Sequence, residues 1–504
     1  MKKALLYCII LLLNQGVYGQ MPFAYLGDNF QLRINSDGSF AIDKSNLAPS
    51  FYNSENHNFL NQGGLWISAE DNAEQIFTAV HHFKGQDSSD FWPGPIDTLT
   101  GQTDPVTYWN KAWPISKEII LNHRSNYASE GYVVPRELAN WPANSANGFA
   151  NYLAPFADVN RNQKYDPENG DFPYIRGDQA VYVISNDVAS EHTASFGLEI
   201  GIEIHLLAYT FNTNPEAVYF DTYLISRKNK FYKNVKVGLF LGGECGNPND
   251  NFGATLVDQN SVIIFNGDNE DEGYFGNNLP YTYGQLLNHK LDQSLFFNNQ
   301  RNTFNGLPTS SQEYTNYLNN KWLDGTPRTY GGNGKGGEIN YAYLYPGNSD
   351  LSVNEWSENS ANNNPGPRNG LAISSQKNLT RGDYIHFEFA IGASTTSNND
   401  NIITEVENKL KNNLVLFKAT SSNNNTAILD QISIKPNPTQ GQFFINFSPP
   451  YDIEIHSNQG VIVYSEKNIK NAKHPCNVQL ASGVYQLKLI KDNQIINKPI
   501  IVNH

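Results

Sequence analysis

Leu198-Glu-Ile-Gly-Ile202-Glu-Ile-His-Leu206 decides the fold class, because apolar side chains at 198, 200, 202, 204 and 206 alternate with Glu199, Gly201, Glu203 and His205. A period of two belongs to a strand, whereas a helix needs apolar residues every three or four positions. Ala217–Ser226 and Val235–Leu241 follow, separated by turns containing Asn, Lys and Pro. The three segments read as consecutive antiparallel strands with one buried face, which places Glu203 and His205 on the solvated side. Working outward, Tyr384–Ile391 (YIHFEFAI) supplies a later strand, and Phe30–Ile34 and Phe40–Ile42 flank the hairpin signal Asn35-Ser-Asp-Gly38. Ile403, Val406, Leu410, Leu414 and Phe417 recur at three- and four-residue steps, the stripe of one helix packed on the body. Long stretches between the strands read as insertions.

The 504 residues allow two to four domains of ordinary size. Residues 1–19, MKKALLYCIILLLNQGVYG, read as a signal peptide, with a basic start, a short apolar run and small residues before a cut. No later stretch has the roughly 18 uninterrupted apolar residues of a transmembrane helix. Cys245 and Cys476 are too far apart in the chain, and in different domains, to suggest a bridge. Residues 419–427 form a polar linker between the body, 20–418, and a C-terminal domain, 428–504. The body carries 26 Lys and Arg against 44 Asp and Glu, a net −18. A field of that sign repels phosphate backbones and anionic lipid, which excludes nucleic acid as a default partner.

The C-terminal 77 residues hold short alternating runs broken by Pro and Gly, the pattern of a small immunoglobulin-like β-sandwich. The complete expectation is therefore a mainly β chain: a large antiparallel β-sandwich body with insertions and one packed helix, followed by that small sandwich. The order Ile432-Ser-Ile-Lys-Pro436-Asn-Pro438, then Gly460, then Leu480-Ala-Ser-Gly483-Val-Tyr485, with Lys498 near the terminus, resembles the type A sorting domain of type IX secretion cargo in Bacteroidota. The resemblance implies the type IX machinery as partner, removal of the domain, and a secreted or outer-surface location. The body, through Gly63-Gly-Leu-Trp-Ile67, Phe91-Trp-Pro-Gly-Pro-Ile-Asp97 and Thr329-Tyr-Gly-Gly-Asn-Gly334, resembles uncharacterised secreted proteins of the same group. That likeness implies no activity.

Asp158, Asn160, Asn162 and Asp166, with the Lys164 carbonyl between them, occupy the alternating positions from which a loop can wrap Ca²⁺. The stretch is similar to dockerin-type calcium loops, but Gln163 and Asn169 replace the usual Gly and closing acid, so Glu168 or Asp171 closes the shell. The expected cofactor is a bracing calcium ion at 158–171. A second run, Asp268-Asn-Glu-Asp-Glu-Gly273, reads as a solvated hairpin tip. Trp92, Trp109, Trp113 and Trp141 lie beside Pro or Asn in loop-like sequence, where exposed rings would stack on a glycan or protein ligand. No G-x-S-x-G or H-E-x-x-H occurs, and no catalytic residue is assigned. The body is thus expected to be a non-catalytic glycan- or protein-binding adhesion module; the alternative is a secreted hydrolase of polysaccharide or protein.

Overall fold

The computed structural model describes residues 21–422 and 433–502, apart from 86, 105, 145–148, 151–152, 161, 163, 244, 348–354, 398–401, 436–438, 448–449, 457–461, 482 and 492–493. The expected signal peptide and linker residues 423–427 lie outside the described residues.

The body is built on two antiparallel sheets. The large sheet runs Asn251–Leu256, Ser261–Asn266, Leu279–Leu286, Tyr384–Thr396, Asn214–Ser226, Ile202–Phe211, Gln179–Asn186 and Trp92–Pro93, with Trp113–Ser116 also pairing onto Gln179–Asn186. The small sheet runs Gln293–Phe297, Asn369–Ser375, Lys233–Gly242, Gln62–Glu70 and Ile76–Val80. Their facing sides meet in one apolar core, to which the large sheet contributes Ile202, Ile204, Val218, Phe220, Phe387 and Phe389 and the small sheet Leu65, Trp66, Val237, Leu239 and Leu371. This is the expected sandwich.

The other face of the large sheet departs from expectation. The 13-residue strand Asn214–Ser226 and its neighbours are covered there as well: the 106–175 insertion lays Trp109, Trp113, Ile120, Leu138 and Trp141 on Tyr182, Leu207, Tyr209 and Tyr219. Next to it the helix Ile402–Ser422 packs Ile402, Val406 and Leu410 on Ile263, Phe265, Tyr281 and Tyr283. Glu203 is therefore 0 % and His205 8 % exposed, where one solvated face had been expected. The helix also takes in the first four residues of the expected linker, 419–422.

Two further helices escape the apolar-stripe test. Lys117–Asn126 buries only Ile120 and His123, too few to show as a stripe. Ser311–Leu318 did carry a local signal: Ser310-x-x-Glu313 is a capping pair, with Ser310 Oγ accepting from Glu313 N and Glu313 Oε2 accepting from Thr309 N at 2.6 Å.

The C-terminal domain pairs a three-stranded sheet, Ser433–Lys435, Gln442–Asn446 and Lys473–Asn477, with a four-stranded one, Ile462–Ile469, Tyr451–His456, Gly483–Lys491 and Gln494–Val502. Phe443, Ile445, Ile453, Ile455, Leu487 and Leu489 form its separate core. Cys245 and Cys476 are both free and buried.

Candidate functional site

At one end of the small sheet, Gln62, Gly242 and Asn369 stand side by side on three adjacent strands. The next residue, Gly243, admits no side chain, because a Cβ there would lie 1.9 Å from the Arg368 carbonyl oxygen. With the two glycines leaving the middle of this floor bare, a cavity of about 210 Å³ opens between the His82–Lys84 segment and residues 299–307.

Its walls are amides and cations. Gln62 is tied to the wall, Oε1 accepting from Phe83 N at 2.8 Å, and Asn369 Nδ2 donates to Asn299 Oδ1 at 2.8 Å. Asn61 completes the amide set. Lys84 and Arg301 supply positive charge, and among the described residues neither forms an ion pair, in a body with 18 excess acidic groups. Burial holds the Lys84 amine below its ordinary range; Asp90 opposes the shift and the neighbouring Arg301 reinforces it. His82 is not a third cation: burial drives it down to about 3, and its Nδ1 shares a hydrogen bond with Tyr314 Oη at 2.7 Å.

The calcium-type loop closes as a compact turn. Asn162 Nδ2 donates to Asp166 Oδ2 at 2.6 Å, Asn160 Nδ2 to Asp166 Oδ1 at 2.9 Å, and the Asn162 amide to Asp158 Oδ1 at 3.1 Å, while Lys164 N donates to Asn162 Oδ1 at 2.8 Å. Asp171, fully buried, reaches in from behind to accept from Val159 N and Asp166 N. Glu168 is exposed and makes no hydrogen bond to the described loop residues. Burial and the charges of Asp158 and Asp166 push the Asp171 carboxyl up to about 6, outweighing its two amide donors.

The tryptophans are not surface platforms. Trp109, Trp113 and Trp141 are 7, 4 and 4 % exposed inside the cluster that covers the large sheet, and Trp92 is half-buried against His192. Loop sequence is not loop exposure: these rings hold the insertion down, and no face of the first three is left for a ligand.

On that covered face, Asp221, His386 and Glu388 come together from two paired strands, with Asp221 directly opposite Glu388. His386 Nε2 lies 2.8 Å from Asp221 Oδ1 and its ring stacks on Tyr223, centroids 4.3 Å apart. Arg176 bonds Glu388 and lies 3.8 Å from Asp221. Burial alone would lower the His386 imidazole, but the two carboxylates win and raise it. Arg176 and His386 thus both face the two acids, so the cluster carries its own basic partners.

The second acidic run is the expected solvated tip at Asp268, Asn269, Glu270 and Glu272, all exposed, but Asp271 turns inward. Asp271 is 2 % exposed and accepts from the Asn247, Tyr274 and Phe275 amides, and Asp250 beside it is 6 % exposed. Burial, a carboxyl contact with Glu272 and the surrounding acids push Asp250 up to about 8.

Residues 433–503 match the family described as a secretion system C-terminal sorting domain. The chain is a type IX secretion cargo. It is accordingly secreted or displayed on the outer surface, and its C-terminal sandwich is the part that engages the secretion machinery. No helix among the described residues is long and apolar enough to cross a membrane. No curated protein matches the chain. Among solved structures, a polysaccharide lyase is similar at 8 % identity and a TM-score of 0.19, over 60 % of this chain. The match covers 34 % of that enzyme, so the chain spans about a third of its length.

The pocket residues Asn61, Gln62, Lys84, Asn299, Arg301 and Asn369 carried no sequence signal as a group, since they come from segments up to about 300 positions apart. Only Gly242-Gly243, a glycine pair ending an apolar strand, marked a close backbone approach.

Proposed function

We propose that the body of this secreted cargo is a non-catalytic glycan-binding module whose pocket at the end of the small sheet takes a carboxylated sugar. The observation that carries the reading is the pocket lining: amides suited to hydroxyl groups beside two cations that form no ion pair among the described residues. An Arg guanidinium matches a carboxylate in a planar two-point geometry, and the adjacent Lys adds point charge. At about 210 Å³ the cavity suits one sugar ring or a chain end.

Calorimetric titration of the mature chain with a tetragalacturonate, beside a neutral cello-oligosaccharide of equal length and an oligoglutamate, tests this reading. The uronate should bind, weakening with salt, and Arg301→Gln or Lys84→Met should cost roughly tenfold or more in affinity. Equal binding of the oligoglutamate would make the site a peptide site, and binding unaffected by both substitutions would remove the pocket from the account.

The second reading, a secreted hydrolase, rests on the Asp221–His386 pair, whose carboxylate orients the imidazole as a general base requires. Polysaccharide turnover lost in both His386→Ala and Asp221→Asn chains would favour it over the binding module.

The 158–171 loop fits a bracing Ca²⁺, held by Asp158, Asn160, Asn162, Asp166 and the Lys164 carbonyl with Asp171 behind. Burial, reinforced by the charges of Asp158 and Asp166, raises the Asp171 carboxyl. An acid raised in the folded state weakens folding as pH climbs from its ordinary value of 3.8 towards about 6. In chelator the melting temperature should therefore gain on acidification from pH 7 to 5, and millimolar CaCl₂ at pH 7 should raise it. An Asp158→Ala/Asp166→Ala chain should lose the part of that calcium increment due to this loop; an increment identical to the parent's would exclude it.

A further inference from the structure

Asp250 and Asn251 end the turn that leads into the strand Asn251–Leu256, and each has one side-chain oxygen that no donor reaches. The Oδ1 atoms of both are buried and meet no hydrogen-bond donor, although the residues are only 6 % and 0 % exposed. The other half of each side chain is fixed: Asp250 Oδ2 accepts from Asn266 Nδ2 at 3.2 Å, and Asn251 Nδ2 donates to the Asn247 carbonyl at 2.7 Å. Neither group can turn its free oxygen to solvent without breaking the bond on its far side. Buried polar atoms normally find a partner, so two orphaned oxygens on adjacent residues indicate that one is missing.

The surroundings say what kind. The carboxyl of Glu272 lies within hydrogen-bond reach of Asp250 and is held there by Asn247 Nδ2 at 2.9 Å. Asp268 and Asp271 add their charge, and no Lys, Arg or His among the described residues forms an ion pair with Asp250, Asp268, Glu270, Asp271 or Glu272. This differs from the Asp221 cluster, where Arg176 pairs with Glu388 and His386 lies against Asp221. Two carboxyl groups pressed together without a cation are mutually repulsive.

We propose that this turn is a calcium site, with Asp250 Oδ1, Asn251 Oδ1 and the Glu272 carboxylate as protein ligands. All three are oxygen donors of carboxylate or amide type, the set that hard cations take, and nitrogen or sulfur donors suited to zinc or copper are absent from it. An irregular turn with a mixed donor set suits the flexible six- to eight-fold shell of Ca²⁺ better than the strict octahedron of Mg²⁺. The Asp271 carboxylate, already engaged by three backbone amides, positions the turn and is not a ligand.

The test uses the mature chain carrying Asp158→Ala/Asp166→Ala, so that the other calcium-type loop does not contribute. After dialysis against chelator, CaCl₂ in the millimolar range should give saturable heat in a calorimetric titration. It should also raise the melting temperature by at least about 2 °C, with MgCl₂ weaker. Asp250→Asn and Glu272→Gln should each abolish the calcium response or weaken it at least tenfold. Should the double-alanine chain fail to fold, the otherwise unchanged chain decides by stoichiometry, since Asp250→Asn must remove one bound calcium. No calcium response in the double-alanine chain, or a full response in Asp250→Asn, overturns the proposal.

Discussion

Glu203→Ala should destabilise the body by roughly 3–5 kcal/mol, the cost of removing one partner from a buried charged network. Glu203 is fully buried and its carboxylate is used on every side. Oε1 accepts from Arg227 Nη2 at 2.5 Å and from His205 Nε2 at 2.8 Å, and Oε2 accepts from the Ile96 amide at 2.6 Å. His205 in turn is 2.8 Å from Tyr182 Oη. Truncation would strand the Arg227 charge and the Ile96 N–H, and it would release the segment that crosses this end of the large sheet. Burial works to raise this carboxyl, but Arg227 and His205 hold it down at about 2 against an ordinary 4.5. A group depressed on folding stabilises the protein at pH above its unfolded value and loses that contribution as pH falls through the folded one. Over the window from 4.5 to about 2 the contribution is about 3 kcal/mol. Denaturant unfolding of the parent should weaken across that window, while Glu203→Gln, less stable at pH 7, should show a flatter profile there. Equal slopes would mean that the network does not ionise as described.

Trp66→Ala should cost a comparable 3–5 kcal/mol, because a fully buried indole leaves a cavity that the rigid sheet beneath it cannot close. The ring stacks on Phe240 with centroids 4.8 Å apart, meets Tyr314 edge-on at 4.8 Å, and donates from Nε1 to the His81 carbonyl at 3.1 Å. That last bond anchors the segment that carries Lys84 into the pocket. The substitution should therefore weaken uronate binding in the fraction that remains folded, beyond what a core cavity elsewhere would do. Leu371→Ala, in the same core but without a bond to the pocket wall, is the control: it should lose stability and retain affinity.

The two substitutions also separate what each level of description supplied. The alternation from Leu198 to Leu206 was enough to establish strands, because side-chain direction in a strand follows from backbone geometry alone. The sorting domain was equally legible: its landmarks lie within 77 contiguous residues. The stripe from Ile403 to Phe417 identified a packed helix for the same local reason. Alternation states that a strand has two faces and leaves open what covers the second one. Only the tertiary structure decided that the 106–175 insertion and the C-terminal helix cover it, converting Glu203 and His205 from surface groups into a buried network and Trp109, Trp113 and Trp141 from ligand platforms into core. The pocket and the Asp250 turn are likewise tertiary. They bring together residues from separate strands and loops, and their chemistry depends on unpaired charge and unsatisfied oxygens, properties that exist only once burial has removed water from the choice of partners.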